Sequence, residues 1–453
     1  MGVPMKKFSL LVALFLTACG GGGGSNPAPP IAVTPTVQPA AVVPTCTDPH
    51  KSDYPQIYNG YRPIPTPAQQ LPQHYSRGIS FKDYYAGGMY NNLRGSTSCT
   101  EDDYTKLMYT QALDQMKSTG ATSTWLYNYG PWNSNTTPWT VSPANYQMPE
   151  YMVEFIVSEA KKRNIDVYYA WQFTTIDTNR NELVALGENV TVEKLNKILD
   201  AHHKQVIEMA KFAQRTGMKG IAADWNAMHI NNLHEPELNK IYTEKFSQII
   251  DDIRKNFSGE VTWGQSMQPF AHPKIVDKVD AVHISLGGPI LSQTENVNLS
   301  VEIVRDAIAK QIYNFQYDYY CIPPSNTVKC SNMPSTKKVP VIFEIAVQSR
   351  DKYWTEGWVE DGFCVDGITP AGTKTKCIQD TYVTDFSVQA IGIEGILRAV
   401  VSQSTFTVKG VNFHTSYWKT KTLVAGSEGF PNLSQSIRGK PAEKIVKYWF
   451  TGT

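Results

Sequence analysis

The chain has 453 residues, with 42 Lys and Arg against 41 Asp and Glu, a formal net charge of +1. So even a balance gives no electrostatic footprint for nucleic acid or another polyanion, and neither is expected as a partner. Beyond a low-complexity start, about 400 residues remain, enough for one large barrel or two ordinary domains.

Residues 1–18 read as a secretion signal. Lys6 and Lys7 form a basic start, and the apolar run over 8–16 is too short to span a bilayer. The run ends in Leu16-Thr17-Ala18-Cys19, which resembles the lipobox of bacterial lipoproteins. That resemblance implies cleavage before Cys19 and acylation of its thiol and new amino group. Gly20, not Asp, follows Cys19, which by the same resemblance implies delivery to the outer membrane, on its periplasmic or exposed side. Several acyl chains make a lasting membrane anchor where one myristoyl chain does not. The alternative is an ordinary cleaved signal with an incidental Cys. Residues 19–45 form a flexible tether: five consecutive glycines, then a stiff, extended run rich in Pro, Ala, Thr and Val that cannot build a core. Residues 46–453 are left as one folded domain.

Six cysteines remain after Cys19: Cys46, Cys99, Cys321, Cys330, Cys364 and Cys377. An even number in an exported chain points to disulfides, and six allow fifteen pairings. Proximity favours Cys321–Cys330 and Cys364–Cys377, each around a Pro-, Gly- or Thr-rich loop, and leaves Cys46 with Cys99. The spacings match no zinc site.

Along the domain, short apolar runs alternate with long amphipathic stretches. A strand over 76–81 is followed by a helix over 104–118, which starts after a capping sequence at Thr100-Glu101-Asp102. A strand over 123–129 precedes a helix over 149–162. A strand over 166–172 precedes a helix over 192–216 that closes at Gly217, a good helix C-cap. Strand 220–224 leads to helix 237–256, which ends before Ser258-Gly259. Strand 260–265 and a short helix within 272–278 come next, then strand 281–286 and helix 301–317. Strand 339–345 with helix 386–402, and strand 410–417 with helix 441–450, complete the series. Eight strand–helix units imply a parallel sheet, and their total length fits a (β/α)8 TIM barrel with long loops. A doubly wound open sheet is the rival. Against it, Ser80-Phe81-Lys82-Asp83 stands where a glycine-rich phosphate turn would follow the first strand.

In such barrels the chemistry sits at the C-terminal ends of the strands. Those ends carry Asp83; Trp125, Tyr127 and Trp132; Trp171; Asp224, Trp225 and Asn226; Trp263 and Gln265; His283 and Ser285; Glu344; and His414, Tyr417 and Trp418. Rings that stack on sugar faces, beside fixed amides and carboxylates, suit a carbohydrate cleft. The expected partner is therefore a carbohydrate, and a monomer is expected. Glu344 stands out because Val341-Ile342-Phe343 carry it directly out of a buried-strand pattern, and a buried glutamate needs pairing or hydrogen bonding. His229, His234 and Glu235 cluster after the fourth strand, but Pro236 makes this stretch a loop into the next helix. No metal or cofactor is expected.

Carboxylates on strands four and seven, with a Trp after strand eight, resemble clan A glycoside hydrolases. The stretches Gly259-Glu260-Val261-Thr262-Trp263, Val279-Asp280-Ala281-Val282 and Pro340-Val341-Ile342-Phe343-Glu344 are similar to mannanases of glycoside hydrolase family 113. The resemblance implies Glu344 as nucleophile and a strand-four carboxylate as acid/base. Clan A places Asn-Glu, or at least Glu, at strand four, whereas this chain has Ala223-Asp224-Trp225-Asn226. The shorter Asp224 is the acid/base candidate, and it leaves both retention and inversion open.

Glycoside hydrolysis needs one carboxyl to protonate the leaving oxygen and a second to attack, or to activate water, from the opposite face. Trp225 would raise the acid's pKa, while Gln265, His414 or Tyr417 would keep the nucleophile ionised. The bland alternatives are an ion pair of Glu344 with Arg350 or Lys352, and Asp224 as a rim hydrogen-bond acceptor. At the level of function, the alternative is a non-catalytic glycan-binding or cell-envelope lipoprotein on the same barrel.

Overall fold

The structure, a computed structural model, describes residues 62–81, 100–132, 148–177, 182–184, 189–223, 230, 232–233, 235–265, 273–320, 339–357, 383–417 and 434–453. Its strands are β1 (Ser76–Phe81), β2 (Ser123–Trp132), β3 (Asp166–Asp177), β4 (Glu182–Val184), β5 (Gly220–Ala222), β6 (Glu260–Gln265), β7 (Ala281–Leu286), β8 (Val341–Ile345) and β9 (Val408–Tyr417). Neighbours pair in parallel in the order β1, β2, β3, β5, β6, β7, β8, β9, and β9 returns to β1, closing a ring of eight. Strand β4 stands apart as an antiparallel partner of β3. The fold is the (β/α)8 barrel that the eightfold alternation predicts.

The helices are α1 (Glu101–Thr119), α2 (Glu150–Lys162), α3 (Val192–Thr216), α4 (Pro236–Asn256), α5 (Pro273–Val276), α6 (Gln293–Val297), α7 (Val301–Tyr320), α8 (Tyr353–Glu356), α9 (Phe386–Ser402) and α10 (Pro441–Thr451). Local chemistry sets their ends. The Thr100 and Thr191 hydroxyls accept from Asp103 N and Lys194 N, so the first turns of α1 and α3 are capped. Gly217 closes α3 with φ 66°, a left-handed conformation that favours glycine. Strands β2 and β3 overrun their predicted ends because they pair residue for residue up to Trp132 with Thr175. Strand β4 and helices α6 and α8 escape periodicity because each is only three to five residues long.

Two cores result. Outward-facing side chains and the helices share one continuous shell. Trp125, Tyr127, Tyr168, Ala170, Ala222, Ala281 and Ile342 fill the barrel interior as a separate cluster. This division corrects two expectations. Trp263, 3 % exposed, faces outward into the shell, because Thr262 and Gly264 occupy the inward positions of β6; it does not line a cleft. Trp125, 1 % exposed, is inside the barrel, stacked on Tyr168 at 4.5 Å between centroids, and packs the interior where a sugar platform was expected.

Before β1, residues 62–75 strap the outer helices. Arg62 pairs with Asp385 Oδ2 at 3.0 Å and donates to Asn296 O, Ala68 N donates to Glu394 Oε1, and Leu71 N donates to Trp449 O. Among the described residues no helix is long and apolar enough to cross a membrane. The signal, Cys19, the tether and all six remaining cysteines lie outside the described residues.

Candidate active site

Glu344 is the fourth of five residues in β8 and points into the barrel at its C-terminal half, 2 % exposed. Ser285 of β7 and Asn412 of β9 are its register partners on either side. Both carboxylate oxygens are engaged. His283 Nδ1, one inward position deeper on β7, lies 2.6 Å from Oε1. Asn412 Nδ2 donates to Oε2 at 2.6 Å. His414 Nδ1 is 3.9 Å from Oε2 and 2.9 Å from the Tyr127 hydroxyl, which also lies 3.4 Å from Asn412 Nδ2. The ion pair expected as the bland alternative is not formed: Glu344 faces His283, Asn412 and His414, while Arg350 binds Gln348 Oε1 and Asp351 O.

Packing fixes this arrangement. Gly78 of β1 lies opposite Asn412 in register, and a Cβ there would come 2.7 Å from Asn412 Oδ1. The glycine makes the room that Asn412 needs beside Glu344, a common reason for glycine within a strand. Beneath, the Trp125 ring meets the His283 imidazole edge-on at 4.5 Å. Deeper still, Tyr168 and Lys409 both donate to Glu260 Oε2, at 2.8 and 2.6 Å, so the barrel floor is polar but internally paired.

Burial dominates the electrostatics. Loss of solvent pushes the Glu344 carboxyl well above its ordinary range, and the Asn412 hydrogen bond only partly opposes it. The same burial pushes the His283 imidazole well below its usual value, helped by the Lys409 and His414 charges. Tyr168 is also raised, mainly by burial and then by Glu260.

Of the sequence candidates, Glu344, Tyr127 and His414 come together in one hydrogen-bonded group. Asp83, Asp224, Trp225, Asn226 and Trp418 lie outside the described residues. For Trp132, Trp171, Gln265 and Tyr417 the backbone is described, and each belongs to a barrel strand, paired with Thr175, Asn128, Ile284 and Phe81 respectively. Strand ends alone do not point to Asn412, and they give His283 no role. Both are legible as period-two partners: Asn412 sits between Gly410 and His414, and His283 sits two residues before Ser285.

A cavity of about 500 Å³ lies at the opposite, N-terminal end of the strands. Most of its charged side chains are held by neighbours: Arg254 pairs with Asp280 at 2.6 Å, Lys219 with Glu260 at 3.6 Å, and Lys161 donates to Thr216 O. It is a seam of the scaffold, at the face where barrels carry stability and not chemistry.

Solved structures that share this fold include the glycoside hydrolase family 113 β-mannanase from Alicyclobacillus acidocaldarius in complex with ManMIm. It superposes with TM-score 0.53 at 15 % identity, over 83 % of this chain and 97 % of its own. A family 113 β-1,4-mannanase gives TM-score 0.53 at 13 % identity, over 84 % of this chain and 100 % of its own. At such identities the likeness is one of fold. The sequence matches no protein-family model and no curated protein.

Proposed function

We propose that the protein is an exported glycoside hydrolase that cleaves a polysaccharide or oligosaccharide with Glu344 and Asp224. The observation that carries this reading is the placement of Glu344: a carboxylate inside the barrel, near the C-terminal end of a rigid strand, held through both oxygens by His283 and Asn412. Rigid support of this kind is what a reacting group needs. The fold shared with family 113 β-mannanases supports the same choice and makes β-1,4-mannan the first substrate to try.

In this proposal Glu344 attacks the anomeric carbon and Asp224 protonates the departing oxygen, then deprotonates the water that hydrolyses the glycosyl ester. Configuration is retained, which requires the two carboxyls to stand about 5 Å apart. Leu16-Thr17-Ala18-Cys19 supports a lipid anchor on Cys19, outer-membrane attachment, and a tether that holds the barrel off the lipid. One observation favours the glycan-binding alternative: Glu344 is only 2 % exposed, which leaves little of the carboxylate open to a sugar.

Hydrolysis of a panel of polysaccharides, with Glu344→Gln as control, separates the two. Cleavage by the wild type and none by the variant supports the hydrolase. Equal glycan binding by both proteins, with cleavage by neither, supports the binding module.

A further inference from the structure

Strands β2 and β3 run past the mouth of the barrel. Strand β3 pairs with β5 as far as Ala170 opposite Ala222, then continues to Asp177, which adds roughly 20 Å of strand. Strand β2 keeps pace with it, residue for residue, to Trp132 opposite Thr175. Over Thr175–Asp177 the short strand β4 adds a third, antiparallel member, with Leu183 opposite Ile176. A three-stranded sheet therefore rises from one side of the barrel, beyond the interior cluster that holds Trp125, Tyr127, Tyr168 and Ala170.

The opposite side of the ring has short connections. Strand β6 ends at Gln265 and the next helix starts at Pro273; β7 ends at Leu286 and the next helix starts at Gln293. On the raised side the corresponding connections run from Phe81 to Glu101 and from Trp132 to Glu150.

This asymmetry bears on the proposed hydrolysis, on which the inference rests. Glu344 is on β8, and Asp224 follows Ala223 just past the end of β5. Between these strands lie β6 and β7 on one side of the ring, and β9, β1, β2 and β3 on the other. A glycoside is cleaved between its two carboxyls, so the glycan crosses the line from β5 to β8. One arm runs out over the short connections at β6 and β7. The other runs toward the raised sheet.

Period-two alternation assigns the faces of that sheet. Trp125 and Tyr127 on β2, with Tyr168 and Ala170 on β3, belong to the barrel interior. Tyr129 and Pro131 continue that face on β2, Gln172, Thr174 and Ile176 continue it on β3, and Leu183 joins from β4. None of them is charged. A phenol, an amide and a hydroxyl among apolar residues suit the ring faces and hydroxyls of a neutral sugar, and they offer no cation to a uronate or a sulfate. Asp177 and Glu182, opposite each other in register, belong to the other face.

We propose that the β2–β3–β4 sheet is a carbohydrate-binding wall that closes one arm of the cleft, so that a neutral glycan is held by its end and shortened from that end. A chain longer than this arm meets β2 and β3, whose pairing is continuous up to Trp132 and Thr175.

The test is the product pattern of the full-length protein on β-1,4-mannohexaose labelled at its reducing end, with the corresponding gluco and galacto hexaoses alongside. The wall predicts one short product from the first turnovers, constant in length when longer oligosaccharides replace the hexaose. The position of the label then tells which end is held. Early release of fragments of every length, as from a cleft open at both ends, would overturn the proposal. Tyr129→Ala combined with Gln172→Ala should raise KM for the hexaose by ~10-fold and broaden the product lengths. A lower kcat with KM and product lengths unchanged would mean that the sheet only supports the scaffold, and would overturn the proposal too. The wild-type pattern does not depend on a variant folding. If none of these glycans is cleaved, the hydrolase reading fails, and calorimetric titration with the same hexaoses decides the wall. Binding by the wild type that weakens by ~10-fold in the double variant supports it, while equal binding, or none, overturns it.

Discussion

His202 Nε2 lies 2.8 Å from the carbonyl oxygen of Ala223, the residue directly before Asp224. His202 projects from α3 and is fully buried, so a helix is tied to the C-terminal end of β5 where the acid/base candidate begins. Burial pushes the His202 imidazole down from 6.5 to about 4, with the Ala223 bond acting in the opposite sense. The ring is therefore neutral near pH 7, and its Nε2–H donates to the carbonyl.

This histidine makes stability depend on pH with a definite sign. Above pH 6.5 both the folded and unfolded states hold it neutral. Between 6.5 and 4 the unfolded chain takes up a proton and the folded state does not, so stability falls with falling pH, by on the order of 3 kcal/mol from this group. His202→Phe should flatten that slope and also lower turnover by loosening the strand end. Denaturant unfolding of both proteins at a series of pH values measures it; an identical slope in the variant would show that His202 does not cause it.

Gly78 and Asn412 should behave as one unit. Gly78→Ala would place a Cβ 2.7 Å from Asn412 Oδ1, so the amide must turn away from Glu344. The expected cost is about 1–3 kcal/mol of stability, together with a fall in kcat. In a double-mutant cycle with Asn412→Ala the two effects should be strongly non-additive. Simple additivity would mean that the glycine acts elsewhere.

The barrel was legible because eight apolar runs alternate with eight amphipathic stretches, and that rhythm survives errors of a few residues at each end. The site was only half legible. Glu344 was found because a carboxylate after Val341-Ile342-Phe343 conflicts with burial. Barrel strands are apolar on both faces, so composition does not tell the inner from the outer. Trp263 was grouped with the site for that reason, although its side chain enters the outer shell. Asn412 and His283 hold Glu344 from neighbouring strands, and the register that brings them together is set by strand pairing across the ring.

The cysteines make a separate prediction. Cys321–Cys330 and Cys364–Cys377 should each close a loop and contribute roughly 2–4 kcal/mol apiece through the unfolded state. Peptide mapping without reduction should recover each pair as a linked fragment, with Cys46 joined to Cys99. Free thiols, or links crossing between the pairs, would refute this assignment.

In the proposed mechanism Glu344 forms a covalent bond to the sugar. An activated fluoroglycoside, whose fluorine slows breakdown of the glycosyl-enzyme, tests this directly when the treated protein is digested and its peptides are weighed. Time-dependent inactivation, with the added sugar mass on the peptide carrying Glu344, is the predicted result. A label on another carboxylate, or an active wild type that is never labelled and releases product of inverted configuration, would contradict it.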